Sequence, residues 1–195
     1  LSQTELNELV DMLADSAADD RQRESAARAL ALLGDDALVP LRRLLGMGDA
    51  DQRWWVARTL AAIGGPSSVT LLIETLSDRD PDVRACAAMG LGKLEAPEAV
   101  GPLVHCMADE STYVGRIAGN ALIRIGKPAV PTLIEALGRK SPAARAGAAR
   151  ALVSVESHDA IPALISALND ESAIVTYYAQ EAFERLGVGM VFVKP

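Results

Sequence analysis

Two histidines, two cysteines and a few pairs of acids are the residues of this 195-residue chain whose types could do chemistry. His105 stands beside Cys106, a ring nitrogen and a thiol that could each take a zinc ion, and His158 precedes Asp159 in "ESHDA". A zinc site needs three or four convergent ligands. Neither "HC" nor "HD" has another histidine within a helical turn. His105 is therefore expected to be a surface histidine beside a packed cysteine, and no metal site is expected. Asp19 with Asp20, Asp35 with Asp36, and Asp109 with Glu110 could divide the roles of acid and base, but all three pairs fall at helix boundaries, where capping and solvation account for them. The serines lack a histidine to activate them. "GMGDAD" and "IGGPSS" read as helix ends, since a phosphate loop would follow a strand. The chain is read as a non-enzyme, with no catalytic residue and no cofactor.

Composition narrows the partners. Half the residues are hydrophobic but only two are phenylalanine, so the core must be built from Ala, Leu, Val and Ile, a mixture that favours helices. A formal net charge of −7 argues against nucleic acid, whose recognition needs clustered Lys and Arg to release counterions. The acids concentrate toward the start: residues 1–97 carry 16 acids against 10 bases, and 98–195 carry 10 against 9. Cys86 and Cys106 do not make a disulfide framework, which fits a reducing compartment. No apolar run reaches the roughly 20 residues needed to cross a bilayer, and "LSQTELNELVDMLAD" carries acids where a secretion signal would be basic and then apolar. The expectation is a soluble, cytoplasmic protein with no membrane partner. The missing initial Met and the ending "VGMVFVKP" are compatible with a piece of a longer protein.

The elements that would position any site are set by an internal repeat. With Leu91 as anchor, the matching positions are Leu30, Leu60, Leu122, Leu152 and Phe183, spaced by 30 or 31 residues. Three residues after each anchor is an aliphatic, and four before it stands Ala26, Val56, Ala87, Ala118, Ala148 or Ala179, which defines one helix face. Seven before it are Arg23, Arg53, Arg84 and Arg145, interrupted by Gly115 and Thr176. Gly34, Gly64, Gly126 and Gly187 follow as C-caps that need a positive φ. A second helix then opens, often with Val-Pro or Ile-Pro, where a first-turn proline loses no intrahelical bond. Acidic connectors such as "SDRDPD" and "NDES" lead to the next unit and suit its helix N-terminus. The many alanines and glycines act as spacers that let helices approach closely, and such pairs must stack to bury their apolar faces.

"DPDVRACAAMGLGKL" followed by "EAVGPLVHCMAD" resembles the short HEAT repeat of the phycobilisome-lyase-like type, and the likeness extends over about residues 20–187. "TELNELVDMLAD" resembles the second helix of a preceding incomplete repeat. The resemblance implies an all-α, right-handed α-solenoid (α-α superhelix) of about five and a half two-helix repeats in one domain. Its parts would be an N-terminal capping helix in 1–18, repeats at about 19–48, 49–78, 79–109, 110–139 and 140–170, and a partial repeat in 171–195. Deoxyhypusine hydroxylase is similar in architecture but places iron on His-Glu pairs, and no "HE" occurs here. HEAT-like DNA glycosylases use a basic concave face, which the acidic balance contradicts.

The resemblance also implies that second helices line a concave side. Two residues before their anchors Leu45, Leu76, Met107, Leu137 and Leu168 stand Arg43, Glu74, His105, Glu135 and Ser166, a polar column that changes from repeat to repeat and either recognises a partner or meets water. Trp54 and Trp55, like Tyr177 and Tyr178, precede the first-helix anchor by six and five residues. The periodicity turns Trp54 and Tyr177 to the polar side, with Trp54 under Arg58. An exposed Trp suits a contact hot spot, and a Trp sealing the flank between repeats fits the same pattern. The first reading of function is a non-catalytic scaffold that holds a protein or peptide on its concave face, as a monomer or with weak self-association through solenoid ends. The alternative, from the resemblance, is a subunit of a phycobilin-lyase-like complex that handles a tetrapyrrole, or a structural segment of a larger protein.

Overall fold

The computed structural model describes residues 2–187, and no strand occurs among them. Acid and amide side chains start the first helices. Asp19 and Asp49 accept the backbone N–H of Gln22 and Gln52 at 2.8 and 2.9 Å, and each glutamine returns a bond to the acid's own N–H, which opens α2 (Asp20–Leu33) and α4 (Ala50–Ile63). Asp80 caps α6 (Pro81–Lys93), with proline in the first turn, and Ser141 caps α10 (Pro142–Val155). α8 (Thr112–Ile125) and α12 (Ala173–Arg185) depart from this pattern, because Ser111 and Ser172 make no side-chain cap bond. There Asp109 and Asp170, two residues earlier, take up the serine N–H groups at 2.8 Å.

Gly34, Gly64, Gly126 and Gly187 all adopt the positive φ expected of them, between 59° and 74°. The units without glycine make the same turn: Glu95 and Glu156 sit at φ 50° and 52°, left-handed values that an L side chain resists. The packing on either side therefore imposes the turn whichever residue occupies it. After it come the second helices α3 (Leu38–Met47), α5 (Gly65–Thr75), α7 (Val100–Cys106), α9 (Val130–Ala136) and α11 (Ile161–Ala167), each except α5 entered through a turn of 3-10 helix that the sequence pattern had not suggested. α1 (Gln3–Ala14) precedes them all.

The chain falls into two compact units, Leu1–Ala96 and Pro97–Pro195. In the first, α2, α4 and α6 pack in succession as one row, with α1, α3 and α5 as the other. In the second, α8, α10 and α12 form one row; α7 and α9 adjoin in the other, and α11 packs on α12. Each unit is thus two-layered and all-α, with the row arrangement of an α-solenoid. Residues 188–195 of the partial last repeat lie outside the described residues. The anchors Leu30, Leu60 and Leu91 are fully buried in the first unit, as are Leu122 and, almost fully, Leu152 and Phe183 in the second. Small residues do act as spacers: a Cβ added to Gly90 of α6 would lie 2.7 Å from Ala61 Cβ of α4, and one on Gly147 would lie 2.8 Å from the sulfur of Met107.

The arginine column explains how the rows are tied. Arg23, Arg53, Arg84 and Arg145 are all buried, although arginine heads usually reach water. Each donates to carbonyls of the connector before its own helix: Arg23 to Asp15, Arg53 to Gly48, Arg84 to Asp78 and Arg79, and Arg145 to Arg139 and Lys140. Arg53 and Arg145 also grip, through two nitrogens, the acid 25 residues on, Asp78 at 2.7 and 2.8 Å and Asp170 at 2.7 and 3.0 Å. Arg23 turns instead to Asp51. The two interruptions have a physical reason. A Cβ on Gly115 would stand 3.0 Å from the Met107 carbonyl oxygen, so the helix start lies close against the connector and a larger residue would have to push it back, and Thr176 supplies a hydroxyl to the Asp170 and Ser172 carbonyls.

Burial would push the Asp78 carboxyl up, but the Arg53 bonds and the Asp80 N–H outweigh it and hold the group below the usual carboxylate range. The Arg145 bond, against burial, does the same for Asp170. A carboxylate with a depressed folded pKa contributes stability that is fully present above its unfolded value, about 3.9, and is lost as pH falls through the folded one. Thermal melts between pH 7 and pH 2 should therefore lose stability below about pH 4. Asp78→Asn should lower stability at pH 7 by about 2 kcal/mol and flatten that acid slope. An unchanged slope in the variant would place the acid sensitivity elsewhere.

Candidate functional site

The polar column of the second helices is exposed in both units: Arg43 and Glu74 in the first, His105, Glu135 and Ser166 in the second. Two of its members have local partners. Glu74 accepts from Arg42, one residue away from Arg43, at 3.3 Å, and the Ser166 hydroxyl turns back to the Pro162 carbonyl of its own helix. Tyr177 is also exposed and meets Tyr178 edge-on at 5.3 Å.

A more built arrangement lies on the first helices of the first unit. Arg21, Glu24 and Arg28 on α2 face Asp51, Trp54 and Arg58 on α4 across an open groove of about 930 Å³. Each set is spaced by three or four residues, one helical face, and the second set lies 30 residues after the first, one repeat period. Stacking consecutive repeats therefore brings equivalent positions side by side. Trp55 is buried and Trp54 half-buried, their rings meeting at 5.2 Å and 86°. The Arg58 guanidinium lies 5.9 Å from the Trp54 ring centre and 6.0 Å from that of Trp55, so it caps both rings as a cation over π faces.

Glu24 joins the two helices by accepting from Arg58 at 2.9 Å and from Arg28 at 3.3 Å. Burial pushes its carboxyl up, but the two guanidinium groups prevail and hold it below its ordinary value, so it is ionised at neutral pH. A smaller groove of about 200 Å³ shares Glu24, Arg28 and Arg58 and continues to α6, with Ala27, Ala61 and Gly90 among its apolar lining. Lys93 adds a further cation there.

Cys86 also lines this second groove, yet its thiol is buried and pushed up to about 12 by that burial, with the Arg58 charge opposing it only in part. A thiol in that state is a packing group and a poor nucleophile. Among the described residues no three His, Cys, Asp or Glu side chains converge as a metal site, and no helix is long and apolar enough to cross a membrane. The periodicity predicts Trp54 and its contact with Arg58 but not the groove around them. The signal was present as the parallel sets Arg21, Glu24, Arg28 and Asp51, Trp54, Arg58, one repeat apart.

Comparison with known proteins places these features in context. The profile of HEAT repeats matches residues 6–78, 69–131 and 106–184. The phycocyanobilin lyase subunit alpha of Synechococcus elongatus is 37% identical over 123 residues, which cover 58% of this chain and 44% of the relative. The phycocyanobilin lyase subunit beta of Pseudanabaena tenuis is 43% identical over 67 residues, 34% of this chain and 24% of that protein. The chain therefore spans less than half the length of these curated relatives. Among solved structures, the complex of CpcE and CpcF of phycocyanin lyase from Nostoc aligns at a TM-score of 0.51 and 22% identity, covering 93% of this chain and 77% of the other, a likeness of fold.

The state of Cys86 is open to a direct check. A shift from 9.0 to about 12 lowers the thiolate fraction near neutral pH by about a thousandfold. Iodoacetamide at pH 8 should thus label Cys86 at least about a hundredfold more slowly in the native protein than in urea, as read by peptide mass spectrometry. Equal rates would mean that the thiol is accessible and available for chemistry.

Proposed function

We propose that the chain, which belongs to the HEAT-repeat family, serves as the pigment-binding part of a lyase-like complex, holding a linear tetrapyrrole for delivery to a partner protein. The observation that carries this reading is the 37% identity to a phycocyanobilin lyase subunit across 58% of the chain, a closeness that a shared repeat architecture does not require. Of the readings drawn from the sequence, the relatives favour this alternative over the general scaffold. The chain's own part is recognition. The groove between α2 and α4 offers aromatic faces, guanidinium groups and an ionised carboxylate, and Cys86 is too buried and too weakly acidic to act as a covalent carrier. Bond formation would then belong to the acceptor thiol and to partner subunits, with this chain orienting the pigment.

A protein partner is part of the proposal. The exposed residues Arg43, Glu74, His105, Glu135 and Ser166 on the second helices are its proposed contacts, and Tyr177 offers a further aromatic one. First and second helices would divide the work between pigment and protein. The reducing cytoplasm expected from the cysteine usage suits a pathway that ends on a protein thiol.

Phycocyanobilin added to the purified chain should change its visible absorbance and co-elute with the protein on gel filtration, with a dissociation constant of about 10 µM or tighter. Supplying an apo-phycobiliprotein should then move the colour to the acceptor. If the pigment's spectrum and elution stay unchanged at about 100 µM protein, the tetrapyrrole reading fails and the general protein scaffold takes its place.

A further inference from the structure

A linear tetrapyrrole presents three recognisable features at once: a flat conjugated ring system, two propionate carboxylates, and pyrrole N–H groups that donate hydrogen bonds. A site for it needs an aromatic or apolar face, cations spaced to meet the carboxylates, and an acceptor for the N–H groups. The outer face of α2 and α4 holds all three. Trp54, half-buried and fixed edge-on against Trp55, leaves part of its ring toward the groove. Arg21 and Arg28 stand on one face of α2 two turns apart, about 10 Å along the helix axis. Both are exposed, and Arg28 donates to Glu24 at 3.3 Å.

Charge at the groove is balanced, whereas the chain as a whole is acidic. Although the protein carries a net −7, Arg21, Arg28 and Arg58 line the groove against Asp20, Glu24 and Asp51, and Asp51 is already engaged by Arg23 from beneath. Lys93 adds a cation where the smaller groove continues across α6. The volume of about 930 Å³ lies within the range of small-molecule sites, about 300–1,000 Å³. Its open side suits a ligand that is to be handed on.

We infer that this face is the tetrapyrrole seat: Trp54 stacks on the conjugated rings, Arg21 and Arg28 take the two propionates, and Glu24, positioned by Arg58, accepts from the pyrrole N–H groups. The binding is non-covalent, since Cys86, which lines the adjoining smaller groove, is buried. This inference rests on the tetrapyrrole reading above and adds the location and the mode of holding.

The test titrates phycocyanobilin into the wild-type chain, Arg21→Ser/Arg28→Ser and Trp54→Leu, and phycocyanobilin dimethyl ester into the wild-type chain and the double variant. Circular dichroism and melting temperature report folding. The double variant should bind the free acid about tenfold or more weakly, since each lost charge-assisted bond is worth that much. The dimethyl ester should bind the wild-type chain as weakly as the free acid binds the double variant, with no further loss when both changes are combined. Should Trp54→Leu prove unstable, the exposed arginines carry the test alone. If the wild-type chain binds and the arginine variant and the ester bind equally well, the seat lies elsewhere while the tetrapyrrole reading stands. If the wild-type chain does not bind the pigment, both fall together.

Discussion

A guanidinium taken out of water must have its N–H groups satisfied, and this chain turns that demand into a means of joining repeats. Each buried arginine of the first helices bonds the carbonyls of the connector before it, and Arg53 and Arg145 reach onward to the acid that closes their own repeat. Such a group is weak evidence of net stability, because its desolvation offsets much of the Coulomb gain, but breaking one link strands a buried charge. What it enforces is position. A helix whose N-terminal turn is tied to the connectors on both sides cannot slide by a turn against its neighbour without losing several bonds at once.

The groove follows from that register. Arg21, Glu24 and Arg28 meet Asp51, Trp54 and Arg58 because the repeat period places equivalent residues side by side, and the link from Glu24 to Arg58 spans one period plus one helical turn. Small residues where adjacent first helices meet, such as Ala61 against Gly90, bring those helices close enough for side chains of adjacent repeats to touch on the outer face. Packing residues and surface residues therefore serve different ends on the same helix. The inner columns stay uniform, and the outer ones differ from repeat to repeat.

Much of the architecture was legible in the sequence because its signals are periodic and local. Leucine anchors, alanine columns, glycine stops and acidic caps each state a physical need at a fixed spacing, and the positive φ of Gly34, Gly64, Gly126 and Gly187 follows directly. Exceptions came where the need is met by another residue or by the backbone. Glu95 and Glu156 make the glycine turn, Gly115 replaces an arginine by close approach, and Ser111 and Ser172 leave capping to other groups. The groove was harder to see, since it is a relation between residues 30 apart whose value depends on which faces meet. On the second helices the Glu74 carboxylate is met by Arg42, a residue outside the varying polar column.

The proposed pigment seat lies against the outer face of α2 and α4. The chain's two tryptophans, Trp54 and Trp55, both lie there, so their indole N–H signals are built-in reporters. The most direct measurement is a nitrogen-proton correlation spectrum of the labelled chain with and without phycocyanobilin. A pigment seated there should give a large ring-current shift of the Trp54 indole, with smaller shifts along α2 and α4 and little change on the second helices. Shifts confined to the second helices, with both indole signals unmoved by a bound pigment, would contradict that placement.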